Sequence, residues 1–206
     1  MKLYCVRHGE TVFNLEGRIQ GQLDSQLSPL GLKQCVAVAE ALERCEIDAV
    51  FASPLSRALK TAECVADKLG LKVQLELRLM EINAGIFQGH CWTEIDVHFP
   101  DDAQRWRSQD PDYQIPTGES RRALMERTAA AFHDIRASGH KAALVVGHGG
   151  SLAAALKALL EVPAERNPFS LGNGSISSIA WERDFKLLTL NEMSHLHGLL
   201  SGDGDL

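Results

Sequence analysis

Short apolar segments and longer amphipathic segments alternate along most of this chain, and this alternation constrains the fold more than any other feature. The apolar segments predict buried strands at 3–6, 48–52 and 142–146, and a polar–apolar alternation predicts another at 72–77. The predicted helices lie at about 29–44, over 55–69, after 118–120 and over 152–160. Strands joined by helices pair in parallel, so the pattern predicts an α/β fold with three layers: a doubly wound, mostly parallel sheet with helices on both faces.

Two further features complete the predicted domain organisation. A chain of 206 residues is expected to form one domain, which we place at 1–200, followed by a frayed tail at 201–206. An irregular or short-helical insert at about 82–117 contains two Trp, two Phe and a Tyr, and we expect it to form a small cap. The same aromatic side chains could instead pack against the main core, and both roles are compatible.

The overall composition excludes several classes of protein. A hydrophobic content of 45% with 23% charged residues is unlike disordered, collagenous or coiled-coil chains. The net charge of -6, without a basic stripe, disfavours a nucleic-acid partner, and no apolar stretch approaches the roughly 18 residues that span a membrane. Five scattered cysteines without a C-x-x-C motif are typical of free thiols, so we expect a cytoplasmic protein; a homodimer stays open.

Three of the predicted strands end in residues suited to binding an anion. Arg7-His8-Gly9 follows the first, Ser53 and Arg57 follow the second, and Gly147-His148-Gly149 follows the strand at 142–146. The carboxyl ends of parallel strands lie along one edge of a doubly wound sheet, and helix amino termini there offer unpaired N–H groups. Arginine adds forked donors that match phosphate oxygens. Although an Arg-His pair alone is more typical of a surface loop, the three strand ends together predict a phosphate pocket with four cations.

Several motifs resemble those of a known family. The run Val6-Arg7-His8-Gly9-Glu10-Thr11, with Asn14 after it, resembles the signature of the histidine phosphatase superfamily, which includes the phosphoglycerate mutases. Further segments resemble that family in the same order along the chain: residues 27–31, 53–62, 79–81 with 85–89, 118–120 and 146–150. The resemblance therefore extends from residue 3 to about residue 150.

The resemblance implies a role for each matching side chain. His8 is expected to attack phosphorus and form a phosphohistidine, with one ring nitrogen held by a backbone carbonyl near Gly9. Arg7, Arg57 and His148 are expected to hold the phosphoryl oxygens, and Glu81 to act as the general acid. The residues expected to contact phosphate or substrate are Asn14, Gln20, Gly21 and Gly149. The implied chemistry needs no metal and no cofactor, because cationic side chains stabilise the phosphoryl charge.

The implied activity is hydrolysis of a small phosphomonoester, so the expected partner is a small phosphorylated metabolite. Two alternatives stay open: phosphoryl transfer of the phosphoglycerate mutase type, and a catalytically weak phosphate-binding module. Only 66 residues separate Glu81 from His148, and this short insert favours the phosphatase. The side chains expected to select the substrate are Trp92, Phe99, Arg105, Trp106, Arg107 and Tyr113. His195 and His197 form an H-x-H pair, but without companion ligands we do not expect a metal site.

Overall fold

The computed structural model describes residues 1–200, and these residues build one six-stranded sheet. Its strands are β1 (Lys2–Arg7), β2 (Ala49–Ala52), β3 (Val73–Leu75), β4 (Ala142–Gly147), β5 (Ile176–Trp181) and β6 (Phe185–Glu192). They lie in the order β3-β2-β4-β1-β5-β6. The first four strands pair in parallel, whereas β5 and β6 form an antiparallel hairpin at one edge. The predicted mostly parallel sheet is confirmed; the predicted frayed tail at 201–206 lies outside the described residues.

Within residues 1–200, seven α-helices connect or flank these strands. They are α1 (Val12–Leu15), α2 (Pro29–Leu42), α3 (Ser56–Leu69), α4 (Trp92–His98), α5 (Pro100–Arg107), α6 (Arg121–Ala137) and α7 (Gly149–Leu159). Short 3-10 turns lie at Leu77–Leu79, Gly85–Phe87 and Ser194–Leu196. Within residues 1–200, none of these helices has the length and apolarity needed to cross a membrane. All five cysteines are unpaired.

Local signals fix the ends of the two helices on one face of the sheet. The Ser28 hydroxyl accepts a hydrogen bond from the Gly31 N–H at 3.0 Å, and Pro29 occupies the first helical position, so α2 begins where the sequence predicts. Gly70 adopts the left-handed conformation and ends α3. These ends depend on a few neighbouring residues, which is why the sequence predicts them well.

The structure differs from the sequence prediction in two connecting segments. The strand expected at 72–77 is limited to β3, because the Glu76 carboxylate accepts the Arg78 N–H at 2.9 Å and starts a 3-10 turn. The loop expected at 9–27 contains the single-turn helix α1, whose amino terminus is capped by the Thr11 hydroxyl. In both places a side-chain cap within the segment sets the backbone conformation.

Alternate residues of the central strands bury two separate apolar layers. Leu3 and Cys5 of β1 belong to the layer beneath α6 and α7, whereas Tyr4 and Val6 point to the opposite layer beneath α2 and α3. A strand buried on both faces needs apolar residues at every position, as the continuous apolar runs indicate. The predicted three layers, with helices on both faces of the sheet, are therefore confirmed.

The aromatic insert packs into a third apolar cluster beside the sheet. Ile95 of α4 and Ala103 of α5 are fully buried there, together with Phe87 from the preceding turn. Trp92, Phe99 and Trp106 are partly buried against the same cluster. Ile19, Leu124 and Ala154 belong to the same cluster, so the insert predicted at 82–117 packs against the rest of the domain and does not have a separate core.

Candidate active site

The order of the strands brings three distant segments of the chain together. β4 lies between β1 and β2, with Arg7 in register with Gly147 and Ala52 in register with Val146. The residues that follow these strands therefore meet at one edge of the sheet. The rings of His8 and His148, 140 positions apart in sequence, have their centroids 5.1 Å apart at an interplanar angle of 61°.

A cavity of about 450 Å³ lies at this edge. Eight of the nine predicted site residues line it: Arg7, His8, Asn14, Gln20, Gly21, Arg57, Glu81 and Gly149. The ninth, His148, is fully buried behind the cavity wall, where its ring contacts the ring of His8. The structure thus brings together all nine of these residues at one edge of the sheet.

The imidazole of His8 is held in one tautomer. Its Nδ1 lies 2.7 Å from the carbonyl oxygen of Gly9, and since a carbonyl can only accept, Nδ1 carries the proton and Nε2 keeps its lone pair. Burial, followed by the charges of Arg57 and Arg7, lowers the pKa of His8 well below its ordinary value. At neutral pH the ring is therefore neutral, as a nucleophilic imidazole must be. The carbonyl contact expected near Gly9 is present.

The second histidine is also neutral. Nε2 of His148 lies 2.8 Å from the hydroxyl of Ser53, which follows β2. Burial, then the charge of Arg57 and the proximity of His8, lowers the pKa of His148 well below its ordinary value. The prediction of four cations is therefore wrong, because burial beside two arginines disfavours a further positive charge on either imidazole. Arg7 and Arg57 are the cations of this cluster.

Backbone carbonyls fix the positions of both arginines. Nη1 of Arg7 donates to the carbonyl of Leu171, and Arg57 donates to the carbonyls of Gly21 and Leu23 at 2.7 and 2.9 Å. Burial lowers the pKa of Arg57 to about 10, so the guanidinium stays protonated at neutral pH. Its Nε is buried without a hydrogen-bond partner among the described residues. That donor is suited to an anion entering the cavity.

Glu81 lies at the amino end of α7. Its Oε1 accepts the N–H of Ile82 at 2.8 Å, and its Oε2 accepts the N–H of Gly150 at 2.9 Å. A Cβ atom at position 150 would lie 2.5 Å from Oε1, so only glycine leaves room for the carboxyl group in this position. The side chain is 8% exposed and lines the cavity, where it can exchange a proton with a bound group.

A residue pair that sequence reasoning missed holds the loop of Glu81 in place. Arg127 of α6 forms a two-pronged ion pair with Glu119, at 2.6 and 3.0 Å. The same guanidinium donates to the carbonyls of Arg78 and Met80, both at 2.7 Å, and of Glu81 at 2.9 Å. The matched segment 118–120 indicates that Glu119 matters, but nothing in the sequence connects Arg127 with Glu81.

The other predicted contact residues contribute in different ways. Oδ1 of Asn14 accepts from the N–H of Thr11 at 3.1 Å and from Nδ2 of Asn173 at 3.3 Å, so this oxygen organises the loop. Oε1 of Gln20 is buried without a partner among the described residues. Gly21, in the left-handed region at φ +52°, offers its carbonyl to Arg57. Gly149 begins α7, and a Cβ atom at this position would lie 3.5 Å from the guanidinium carbon of Arg7.

Part of the cavity wall comes from a segment without any recognisable signal. Residues 167–171 line the cavity and supply the carbonyl that binds Arg7, yet they contain neither a periodic pattern nor a matched motif. Asn173, which the sequence does not single out, donates from Nδ2 to the carbonyl of His8 at 3.2 Å. Sequence reasoning missed both because their contacts are formed with residues about 165 positions away.

The cap contributes fewer side chains to the cavity than expected. Trp92 lines it, and Trp106 lines a smaller neighbouring cavity. Arg105 and Arg107 are exposed; the first lies over the ring of Tyr113 and the second pairs with Asp96. Among the lining residues of the main cavity, Phe99, Arg105, Arg107 and Tyr113 are absent. The expectation that these four contact the substrate is therefore not met in the main cavity.

One histidine of the H-x-H pair, His195, has a structural role. Nε2 of His195 donates to the carbonyl of Gly174 at 2.9 Å, whereas His197 is exposed. Within residues 1–200, no three His, Cys, Asp or Glu side chains are grouped so that they could hold a metal ion.

Comparison with known proteins places this chain in a family. The model of the histidine phosphatase superfamily (branch 1) matches residues 3–192. A glucosyl-3-phosphoglycerate phosphatase of Mycolicibacterium vanbaalenii is 35% identical over 184 residues, covering 85% of this chain and 81% of that protein. A Klebsiella pneumoniae protein named Probable phosphoglycerate mutase GpmB is 34% identical, covering 95% of each chain.

A solved structure extends the similarity to the fold. The mycobacterial glucosyl-3-phosphoglycerate phosphatase in complex with VO3 superposes with a TM-score of 0.84 at 34% identity, covering 93% of this chain and 98% of that one. The family model, the relatives and the fold agree, and this chain belongs to the histidine phosphatase superfamily.

Proposed function

We propose that this protein is a metal-independent phosphatase that hydrolyses small phosphomonoesters through a phosphohistidine on His8. The observation that carries the proposal is the state of His8: a buried, neutral imidazole whose Nδ1–H donates a hydrogen bond to the Gly9 carbonyl, in a cavity with Arg7 and Arg57. A lone pair on Nε2 beside two fixed cations is suited to attack on a phosphate ester. Membership of the family and the names of the relatives support the same reaction.

In the first step, Nε2 of His8 forms a bond to phosphorus and the bond from phosphorus to the ester oxygen breaks. Protonated Glu81 transfers its proton to that oxygen, so the leaving group departs as a neutral alcohol. Arg7 and Arg57 neutralise the charge on the phosphoryl oxygens, while the neighbouring imidazole of His148 adds a polar contact from beneath. The positive charge that His8 gains on bonding to phosphorus is offset by the dianionic phosphoryl group.

In the second step, water attacks the phosphorus of the phosphohistidine. Ionised Glu81 accepts a proton from this water, the nitrogen–phosphorus bond breaks, and the electron pair returns to Nε2 of His8. Inorganic phosphate then leaves and the neutral imidazole is restored. The Gly9 carbonyl keeps the ring in the same tautomer throughout, so each cycle starts from the reactive form.

Phosphoryl transfer of the phosphoglycerate mutase type is the second candidate function, because a relative with 34% identity is named a probable phosphoglycerate mutase. The two reactions share the phosphohistidine and differ in whether water or a second hydroxyl accepts the phosphoryl group. A phosphate-binding module without turnover is the third outcome. Release of phosphate, isomerisation of phosphoglycerate and binding alone are separate measurements, so one set of assays distinguishes all three.

The decisive experiment measures phosphate release in EDTA from 4-nitrophenyl phosphate and from several alkyl phosphates, beside an assay for phosphoglycerate isomerisation. We expect release of phosphate with acid-labile ³²P labelling of the wild-type chain. His90→Asn is a matched control, since His90 lies in the cap region and is absent from the lining of the main cavity. Turnover that requires an added metal, or turnover without a labelled intermediate, would contradict the proposal.

The wider setting of the protein is part of the same proposal. A cavity of about 450 Å³ supports a small phosphorylated metabolite as the partner. The acidic net charge argues against a nucleic-acid partner. Five unpaired cysteines favour a reducing, cytoplasmic location. We retain a single domain over 1–200 with a cap at about 82–117, and a homodimer stays open beside a monomer.

A further inference from the structure

A smaller cavity adjoins the candidate active site and contains two cationic side chains, Arg121 and Lys157. Its volume is about 120 Å³. Four residues line both this cavity and the larger one: Glu81, Ile82, Gly150 and Asn167. The rest of its wall is apolar apart from the two cations: Trp106, Leu124, Met125, Ala153 and Ala154. A substrate bound at His8 can therefore extend past Glu81 into a mostly apolar pocket that carries positive charge.

Arg121 is held rigidly in this smaller cavity. Its guanidinium lies 3.3 Å from the centre of the Trp106 ring, and Nη2 donates to the Trp106 carbonyl at 2.9 Å. Nη1 is buried and has no hydrogen-bond partner among the described residues. Burial lowers the pKa of Arg121 to about 10, so the side chain stays protonated at neutral pH. The cavity thus contains a fixed cation with an unused donor.

Lys157 brings a second cation to the same cavity. The residue is 4% exposed, and its ammonium donates one hydrogen bond, at 2.7 Å, to the carbonyl of Ala164. Within residues 1–200, neither Lys157 nor Arg121 forms an ion pair; Asp110 and Glu165, which act on them from a distance, are exposed. Burial, and then the charge of Arg121, lowers the pKa of Lys157. Two like charges therefore lie in one cavity, with Lys157 buried and Arg121 half-buried, and neither forms an ion pair within residues 1–200, although Glu81 also lines the cavity.

Such an arrangement is costly unless an anion completes it. Burying a charge without a partner opposes folding, and a bound anion would offset both the desolvation and the mutual repulsion. A cavity of about 120 Å³ has room for a small anionic group. That matches a carboxylate with the carbon that carries it, with Leu124 and Met125 contacting the carbon.

We propose that this cavity binds a carboxylate on the leaving group of the substrate, so that the preferred substrates are small phosphomonoesters that also carry a carboxylate. The proposal rests on the proposed phosphatase activity and narrows its substrate class. Arg121 and Lys157 are then specificity-determining residues, and they act only on substrates that reach them. Substrates without the carboxylate are hydrolysed through the same step at His8, but with a higher KM.

The test compares two substrates that differ by this one group: 3-phosphoglycerate carries a carboxylate where glycerol 3-phosphate carries a hydroxymethyl group. We expect kcat/KM of the wild type to favour 3-phosphoglycerate by about 10- to 100-fold, the range expected for hydrogen bonds to a charged group. Arg121→Met and Lys157→Met should each remove most of this preference by raising KM. Activity toward 4-nitrophenyl phosphate should change less than about threefold in both variants.

Arg122→Met is the matched control. Arg122 is the next residue of α6 and of the same type, but it is exposed and pairs with Asp112. It should leave the preference unchanged. If the wild type hydrolyses both substrates without preference, or if the two cavity variants lower both activities equally, the carboxylate site is refuted while the phosphatase stands. If the wild type hydrolyses no phosphomonoester, including 4-nitrophenyl phosphate, the proposed function fails and the carboxylate site with it.

Discussion

Replacing Gly150 by alanine tests whether the position of Glu81 governs the reaction. The new Cβ would lie 2.5 Å from Oε1 and 3.1 Å from the carboxyl carbon of Glu81, where ordinary contacts begin near 3.4 Å. The carboxyl group must therefore retreat by about 0.9 Å. It can do so by bond rotation, at the expense of its hydrogen bonds to the N–H groups of Ile82 and Gly150.

The expected consequence is a loss of catalysis without a matching loss of stability. A displacement of about 1 Å in a reacting group costs roughly 100-fold in rate, or about 2.7 kcal/mol in the activation barrier. The free energy of unfolding should change little, because alanine stabilises a helix relative to glycine by about 0.5–1 kcal/mol and offsets part of the lost hydrogen bonding. We therefore expect kcat to fall about 100-fold while the melting temperature stays within a few degrees of the wild type.

The leaving group of the substrate distinguishes this explanation from general damage. An alkyl alcohol needs a proton from Glu81 to depart, whereas 4-nitrophenolate is a far better leaving group and needs it less. The assay is kcat for both substrates in the wild type, Gly150→Ala, Glu81→Gln and the double variant. Gly150→Ala should impair the alkyl substrate more than the aryl one, and it should add little to Glu81→Gln, since both changes remove the same proton transfer.

Two outcomes would contradict a role of Gly150 in positioning Glu81. If Gly150→Ala retains more than half of the wild-type kcat on the alkyl phosphate, the close contact in the structure does not control the position of the acid. If it lowers the activity of Glu81→Gln by a further 100-fold, its effect does not pass through Glu81. In the second case the added methyl group acts on another part of the site.

The remaining predictions concern the nucleophile, the buried histidines and the loop of Glu81. His8→Ala should abolish turnover and acid-labile ³²P labelling; labelling that persists would assign the nucleophile to another residue. Because the pKa values of His8 and His148 are lowered in the folded state, only the unfolded chain takes up these protons as the pH falls below about 6.5. The contribution of these two groups to the free energy of unfolding should therefore be complete above pH 6.5. It should decrease between pH 6.5 and 5, by up to about 1.4 kcal/mol per pH unit for each histidine. Urea titrations across this pH range measure the decrease. His148→Gln should reduce the slope of the unfolding free energy against pH by the contribution of one proton. An identical slope in the variant would contradict a lowered pKa for His148 in the folded state. Arg127→Met removes the clamp on the carbonyls of Met80 and Glu81, so it should lower kcat by about tenfold or more with little change in KM; an effect on KM alone would show that the clamp does not position the acid.

The sequence alone determined the features that depend on neighbouring residues. The cap formed by Ser28, the stop at Gly70 and the continuous apolar runs of the central strands are encoded within a few positions, and each occurs where the sequence predicts it. The alternation of strands and helices also predicted that Arg7 and His148 would reach one edge of the sheet, because parallel strands must end together. The residues predicted for the site follow from these two rules and from the matched motifs.

The chemical state of the site, by contrast, depends on contacts that form when the chain folds. The number of cations depends on burial and on the distance to Arg57, which no local pattern contains, and for this reason the expected four became two. The clamp of Arg127, the wall at 167–171 and the cavity with Lys157 likewise join segments that are far apart in the sequence. Desolvation and long-range hydrogen bonds arise only when distant segments pack together. The sequence therefore specified the nine predicted site residues, while the packing set their charge and position and added Arg127 and the wall at 167–171.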